Sequence, residues 1–411
     1  MAGSVPGRVD QGLRERARRV IPGGMFGHMR VEGLPPGYPQ FFSRGQGCRV
    51  WDVDGRPYID FMCSWGPIVL GHQHPGVREA VLRQMADGDC LDGPTEQLVV
   101  LAERLTGLVT HADWALFSKN GTDATTTCVT LARAATGRRK ILLARGAYHG
   151  AVPWCSPNPL GVTAEDRAHL IHYTWNDTDS LEAAVAAAGD DLAGILTSAF
   201  RHDYGIDQAL PDPVFARRAR ELCDARGAAL ILDDVRAGFR LSLHGSWDPI
   251  GVQPDLSAWS KAIANGHALA AVTGSERFRD AAARLYLTGS FWCGAVAMAA
   301  AIATLDTLEA QDGPTRMHAI GQRFRDGLAA QAQSVGVGIR QSGPPQMPTV
   351  LFDDDPDFAR GQLFCTEALA RGVYLHPKHN MFLSTAHTEA DIDEALEATR
   401  VAFEVVATRF G

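Results

Sequence analysis

Residues 228–240 read AALILDDVRAGFR, and the first seven of them decide how the rest of the chain is to be read. Five apolar residues, Ala228 to Leu232, run without interruption and end on two aspartates. The run follows the amphipathic segment VFARRARELCDARG, whose final glycine is a helix stop. Such a short apolar run behind a helix predicts a strand buried on both faces. Similar runs lie to either side: WALFS, KILLA and AGILTSAF before it, LSAWS and ALAAVTGS after it, between Trp114 and Ser275. Strands alternating with helices imply an α/β fold in which helices sandwich a mostly parallel central sheet.

Outside that region the pattern changes. CRVWDVDGRPYIDF alternates apolar residues around the turn pair Asp54-Gly55, which predicts an antiparallel hairpin. VREAVLRQM and TEQLVVLAERLTGLV have helical spacing, and a long helical stretch is expected from Ala295 to about Gln333. The last hundred residues return to mixed patterns and end in the helix TEADIDEALEATRVAFEVV. The expected organisation is a large domain over residues 61–310 and a smaller α+β domain built from residues 1–60 and 311–411.

Composition narrows the function. A chain of 411 residues with net charge −8 offers no basic face for nucleic acid. No apolar stretch is long enough to span a membrane, and charges occupy the start, MAGSVPGRVDQGLRERARRV, so a cytoplasmic location is expected. Eight scattered cysteines without a C-x-x-C pair support neither a disulfide framework nor a zinc ribbon. The histidine groups GHQHP and HPKHN are flanked by prolines and read as turn residues rather than metal ligands, so no metal is expected.

Of 39 basic residues only Lys119, Lys140, Lys261 and Lys378 are lysine. A lysine amine can lose its proton when desolvated and act as a nucleophile, which arginine cannot do. Lys261 follows the run LSAWS and precedes a glycine-containing turn. That places it at the carboxyl end of a strand, where open α/β sheets bind ligands; a surface lysine at a strand end is the competing reading. Asp233 and Asp234 end a buried run, and a carboxylate there needs a cationic partner. One aspartate could cap a following helix; a protonated pyridine nitrogen would suit the other. In SKNGTDATTTCVTLARAATG a turn enters a helix rich in small residues, a setting for phosphate. RGAYHGAVPW puts Tyr148 and His149 in a loop after a strand, where a ring can stack on a cofactor or simply pack. Lysine, buried aspartate, phosphate turn and aromatic loop together point to pyridoxal 5′-phosphate.

These blocks resemble the class III, or subgroup II, aminotransferases of pyridoxal-phosphate fold type I, and most closely their glutamate-1-semialdehyde aminotransferase-like branch. DVDGRPYIDF, SWGPIVLGHQHP, GPTE, NGTDAT, AYHG, DDVRAGFR, PDLSAWSKAIANG, TGS with AMAA, and AHTEADID carry the likeness in the family's order. The resemblance implies that Lys261 is the Schiff-base lysine and Asp233 the partner of the pyridine nitrogen. It implies that Val235 and Tyr148 flank the ring, with His149 beside Tyr148. Asn120, Gly121 and Thr122 would cradle the phosphate. Ser290 would reach the phosphate of a neighbouring subunit, which implies a homodimer with shared active sites. Arg30 becomes a candidate clamp for a substrate carboxylate, and Trp65 a candidate lining of the substrate entrance.

The departures bear on substrate. Ser198-Ala199 replaces the family's glutamate-proline pair, and Asp203 stands near the position of an asparagine that addresses the cofactor's phenolic oxygen. Gly27 replaces the serine partner of Arg30, ANGHALAAV replaces glycines and a proline after the lysine, and HPKHNMFLSTAHT lacks the mutase's glutamate. The expected activity is therefore ping-pong transamination from an amino acid such as glutamate or alanine to a ketone or aldehyde, in specialised metabolism such as amino-sugar formation. A pyridoxal-phosphate aminomutase, epimerase or racemase is the alternative enzyme, and a cofactor-binding regulatory module the non-enzymatic one.

Overall fold

The computed structural model describes residues 7–411, so the first six residues of the expected N-terminal segment lie outside the described residues. In chain order the strands are β1 (Phe42–Gln46), β2 (Arg49–Asp52), β3 (Pro57–Asp60), β4 (Trp114–Ser118), β5 (Lys140–Ala144), β6 (Leu170–Tyr173), β7 (Leu192–Ser198), β8 (Ala229–Asp233), β9 (Leu256–Trp259), β10 (Ala270–Gly274), β11 (Ile339–Ser342), β12 (Thr349–Phe352) and β13 (Val373–Tyr374). The chain groups into two compact units. One contains the described residues up to His74, Tyr204–Asp207 and Thr315–Gly411; the other contains Pro75–Asp203 and Gln208–Pro314.

The larger unit holds a seven-stranded sheet in the order β4-β10-β9-β8-β7-β5-β6. β5 through β9 pair in parallel with their neighbours, while β10 runs antiparallel to both β9 and β4. The five residues of β8 are all buried, as an apolar run covered on both faces requires. One apolar cluster contains helix Gly121–Thr136 with Ile141, Leu196 and Ile231; another contains helices Thr178–Ala188 and Pro213–Arg226 with Leu142, Ile195 and Leu230. Residues alternating along β5, β7 and β8 thus feed two separate layers. Sequence reading passed over β6, whose LIHY is half exposed at the sheet edge and lacks the uniform apolar run of its neighbours.

The expected helical stretch after Ala295 is two helices, Ala295–Ala310 and Gly313–Ser334, separated where Asp312 adopts φ 46°. The smaller unit contains the predicted hairpin as β2 and β3, paired antiparallel, in a four-stranded sheet ordered β1-β2-β3-β13. A second hairpin, β11 with β12, and helix Glu389–Phe410 complete its main elements. Among the described residues no helix is long and apolar enough to cross a membrane.

Candidate active site

The parallel register sets the site. Ser198, Asp233 and Ala258 are side-by-side partners on β7, β8 and β9, so the chain leaves these three neighbouring strands at one edge of the sheet. The residues that follow, His202 and Asp203 after β7, Val235 and Arg236 after β8, and Lys261 after β9, are therefore delivered together. This is the carboxyl edge at which open α/β sheets bind ligands.

Lys261 opens a short 3₁₀ turn with φ 48°, a left-handed conformation that a non-glycine residue adopts at a cost. Ser260 before it donates its hydroxyl to the Leu269 carbonyl at 2.9 Å, pinning the loop to its own return into β10. Ala262, Ile263 and Ala264 are fully buried, and Asn265 and Gly266 then reverse the chain with positive φ. The stretch AIANGHAL thus anchors the lysine by burying one side of its turn. Burial pushes the Lys261 amine well below the usual lysine range; the Arg236 guanidinium pushes the same way, Asp233 opposes, and Arg240 adds to the lowering.

Asp233 is buried and shares its carboxylate between two partners. One oxygen lies 2.7 Å from His149 Nδ1, and the other accepts the Val235 N–H at 3.1 Å. His149 Nε2 is buried with no hydrogen-bond partner. Asp234 points away from this pair, accepting the Ser246 N–H at 3.0 Å, and burial raises its carboxyl to about 7. The two aspartates therefore have different surroundings.

Asn120 precedes helix Gly121–Thr136, and its N–H is taken by the Asp123 carboxylate at 2.9 Å. The N–H groups of Gly121 and Thr122 belong to the first turn, where no carbonyl of the helix itself can accept them. A Cβ on Gly121 would stand 2.7 Å from Val235, so the absence of a side chain lets Val235 close on this helix start. The loop carrying Tyr148 and His149 is drawn to the same helix: Thr125 donates to the His149 carbonyl at 2.7 Å. Gly150, with φ 132°, allows a close approach to Thr122, whose hydroxyl would lie 2.5 Å from any Cβ there. Tyr148 keeps nearly half its surface exposed, and burial of the rest raises its phenol.

Sequence reading missed Arg236, His202 and Arg240. Burial draws the Arg236 guanidinium down to about 10, against Asp233, Tyr148 and Asp203. His202 is pushed far below the usual imidazole range by burial, then by Arg236 and Lys261. Arg240 has no exposed surface. Asp203 is held by Arg201 Nε at 3.1 Å, in a loop clipped by the paired backbones of Arg201 and Ala209. Its carboxylate sits against Gly146 of the Tyr148 loop. Ser290 is exposed between Gly289 and Trp292. In the smaller unit, Arg30 is exposed and donates from Nε to the Met25 carbonyl at 3.1 Å, while Trp65 is partly buried.

The chain matches the family described as aminotransferase class-III over residues 35–403. It is 51% identical over 398 residues, covering 97% of this chain and 94% of the relative, to an aminopentol aminotransferase of Sphingopyxis macrogoltabida. The chain belongs to the class III aminotransferases. It is also 35% identical, over 94% of this chain and 95% of the other, to a 3-aminobutyryl-CoA aminotransferase of Cloacimonas acidaminovorans (strain Evry). The solved structure of the internal-aldimine form, with pyridoxal phosphate, of the Sphingopyxis sp. MTA144 FumI protein superimposes with a TM-score of 0.97 at 50% identity, covering 98% of each chain.

This aminotransferase uses pyridoxal 5′-phosphate. The residues present fit that group. An unpaired His149 nitrogen behind Asp233, first-turn amides at Gly121 and Thr122, and a desolvated lysine converge on the same sheet edge. A phosphate at a helix start and a pyridinium beside a buried carboxylate are what such groups stabilise.

Proposed function

We propose that Lys261 is the lysine that binds the cofactor and carries the reacting proton, in an enzyme that exchanges an amino group between glutamate or alanine and the amine carbon of a hydroxylated substrate. The observation that carries this reading is the desolvated Lys261 amine two residues beyond β9, one strand from Asp233. When bound, the cofactor supplies an electron sink for the carbanion formed at the amine carbon. Lys261, whose desolvation lowers the proton affinity of its amine, takes up that proton at Nζ and returns it. Asp233 would face the ring nitrogen, and His149 fixes the carboxylate through Nδ1. Val235 and Tyr148 close the two faces of the slot, while Asn120, Gly121 and Thr122 hold phosphate at the helix start.

What supports this substrate class is the likeness to the aminopentol aminotransferase named above, whose name denotes an amine with hydroxyl groups and which shares half of this sequence. Arg30 serves as the carboxylate clamp for the amino acid partner. A homodimer completes the site: Tyr286 and Phe291 are 91% and 67% exposed on either side of Ser290, apolar surface that a second copy covers as Ser290 reaches its phosphate.

The test is a matrix of amines against pyruvate and 2-oxoglutarate, with the holoenzyme followed for alanine or glutamate formation. Hydroxylated primary amines are expected to yield alanine or glutamate with one of these acceptors. Turnover confined to amino acids would defeat the assigned substrate class, and turnover by Lys261→Ala would defeat the assigned lysine.

A further inference from the structure

The cysteines do not share one environment. Cys48, Cys63, Cys128, Cys223 and Cys365 are buried and Cys155 is partly covered, whereas Cys90 and Cys293 are exposed. Burial also pushes the Cys48 and Cys223 thiols up to about 12 and Cys155 to about 11, which keeps them in the unreactive protonated form. An oxidant in solution therefore meets Cys90 and Cys293 first, and both belong to the larger unit.

The fold brings their segments together. Helix Pro75–Asp87 ends where Gln84 Nε2 donates to the Gly88 carbonyl at 3.0 Å. Asp89 then holds the start of helix Ala295–Ala310 twice: its carbonyl accepts the Ala295 N–H at 3.1 Å, and its Oδ1 accepts the Val296 N–H at 2.9 Å. A carboxylate there satisfies first-turn donors and meets the positive end of the helix dipole. On the other side of the contact the chain makes two overlapping turns. The Trp292 N–H bonds the Gly289 carbonyl at 2.9 Å, and the Gly294 N–H bonds the Phe291 carbonyl at 3.1 Å. Gly294 closes the contact, since a Cβ on it would stand 3.1 Å from Lys119 Nζ and 3.2 Å from Asp89 Oδ1. Cys90 follows Asp89 and Cys293 precedes Gly294, so each thiol is one chain step of about 3.8 Å from residues already touching. A disulfide spans Cα atoms roughly 4.4–6.8 Å apart, a distance within reach of that arrangement. Lys119 senses both thiols: burial lowers its amine, and Asp89, Cys90 and Cys293 oppose that shift in that order.

The geometry points to Cys90 and Cys293 as a thiol pair that closes into a reversible disulfide under peroxide and fastens the loop before helix Ala295–Ala310 to the end of helix Pro75–Asp87. That loop carries Ser290 and Phe291, so the bridge fixes the segment assigned above to the neighbouring subunit. The pair stands independently of any substrate. In the first step one thiolate attacks hydrogen peroxide and the O–O bond breaks. A sulfenic acid forms, and the departing hydroxide takes up the proton the thiol shed. In the second step the other thiol attacks the sulfenic sulfur, the S–S bond forms, the S–O bond breaks and water leaves. Two thiols and one peroxide yield one disulfide and two waters.

The test treats the holoenzyme with a small excess of hydrogen peroxide, alkylates it and digests it without reduction. Mass spectrometry is expected to find a peptide pair joined from Cys90 to Cys293, in protein that keeps monomer size in non-reducing electrophoresis. The midpoint of thermal unfolding is expected to rise by a few degrees, because the bridge closes a loop of about 200 residues. Dithiothreitol should reverse both changes. Cys90→Ser and Cys293→Ser, each unfolding at the parent midpoint before oxidation, should show neither. Recovery of both cysteines as free thiols or sulfinic acids, a covalent dimer, or a rise in midpoint equal in wild type and both variants overturns the pair. A linked peptide with a lowered midpoint also overturns it, since the bridge would then strain the contact it is assigned to fasten.

Discussion

The sheet edge around Lys261 and the cluster of the smaller unit, in which His28, His376 and His379 pack edge-on against Trp65, treat charge in opposite ways. At the sheet edge Asp233, Arg236 and Lys261 are taken out of water together, so that burial and then the Arg236 guanidinium lower the Lys261 amine while Asp233 opposes that shift. Around Trp65, His376 is neutral, and rings rather than ions make most of the contacts. The first arrangement is built to stabilise charge that appears during a reaction. The second holds rings in mutual contact, with a neutral His376 among them.

The sharpest way to break this contrast is to neutralise the carboxylate. Asp233→Asn keeps the shape but removes the carboxylate proposed to face the ring nitrogen, and leaves His149 facing an amide. Removing one member of a buried charged pair costs about 3–5 kcal/mol, which corresponds to a loss on the order of 10³-fold in kcat/KM for every substrate alike. Asp233→Glu should recover part of it. A loss restricted to hydroxylated amines would mean that Asp233 acts in substrate selection and does not face the ring nitrogen. Steady-state rates with 1-amino-1-deoxysorbitol and with alanine decide the matter.

A smaller effect isolates the cofactor slot. In Gly121→Ala the new methyl would lie 2.7 Å from Val235, whose N–H is bonded to Asp233. Overpacking of this kind costs about 1–3 kcal/mol. It is expected to weaken pyridoxal phosphate binding roughly tenfold, read by titration of the apoenzyme. Val235→Ala in the same chain should restore affinity; if it does not, Gly121 matters for its backbone and not for its contact with Val235.

Much of the sheet edge was legible in the sequence because its chemistry sits next to its scaffold. Asp233 ends β8, and Lys261 follows β9 by two residues, so recognising the strands located the groups. Arg236 was visible in DDVRAGFR but gave no sign of burial, since a charged residue after a strand is ordinarily solvated. His202 was hidden because loop 199–209 depends on the pairing of Arg201 with Ala209, a contact no periodicity announces. The Trp65 cluster was less legible still: its rings come from four separated segments, and HPKHN alone reads as a turn. That reading holds in part, since His376 does bind the turn's own N–H groups. What the sequence lacks is any signal that the outer edge of the same ring meets Trp65.

The two regions can also be separated by proton linkage, with the smallest effect expected. Lys261 has a native pKa well below that of an unfolded lysine, so between those values the unfolded chain binds a proton that the native apoenzyme does not. Stability then rises with pH, by up to about 1.4 kcal/mol per pH unit, until the unfolded lysine titrates near 10.4. Lys261→Met removes this slope. The variant should be the more stable apoprotein at pH 7, and its advantage should shrink as pH approaches 10. His376, lowered to about 4 against an unfolded value near 6.5, follows the same sign in a different window. His376→Gln should remove a slope lying between about pH 4 and 6.5 and none above it. Urea unfolding of the two variants beside the parent apoprotein, from pH 4 to 10, reads both windows. A Lys261→Met difference that is flat from pH 7 to 10 would show that the lysine is solvated and paired, and the contrast between a charged edge and a neutral cage would lose its charged half.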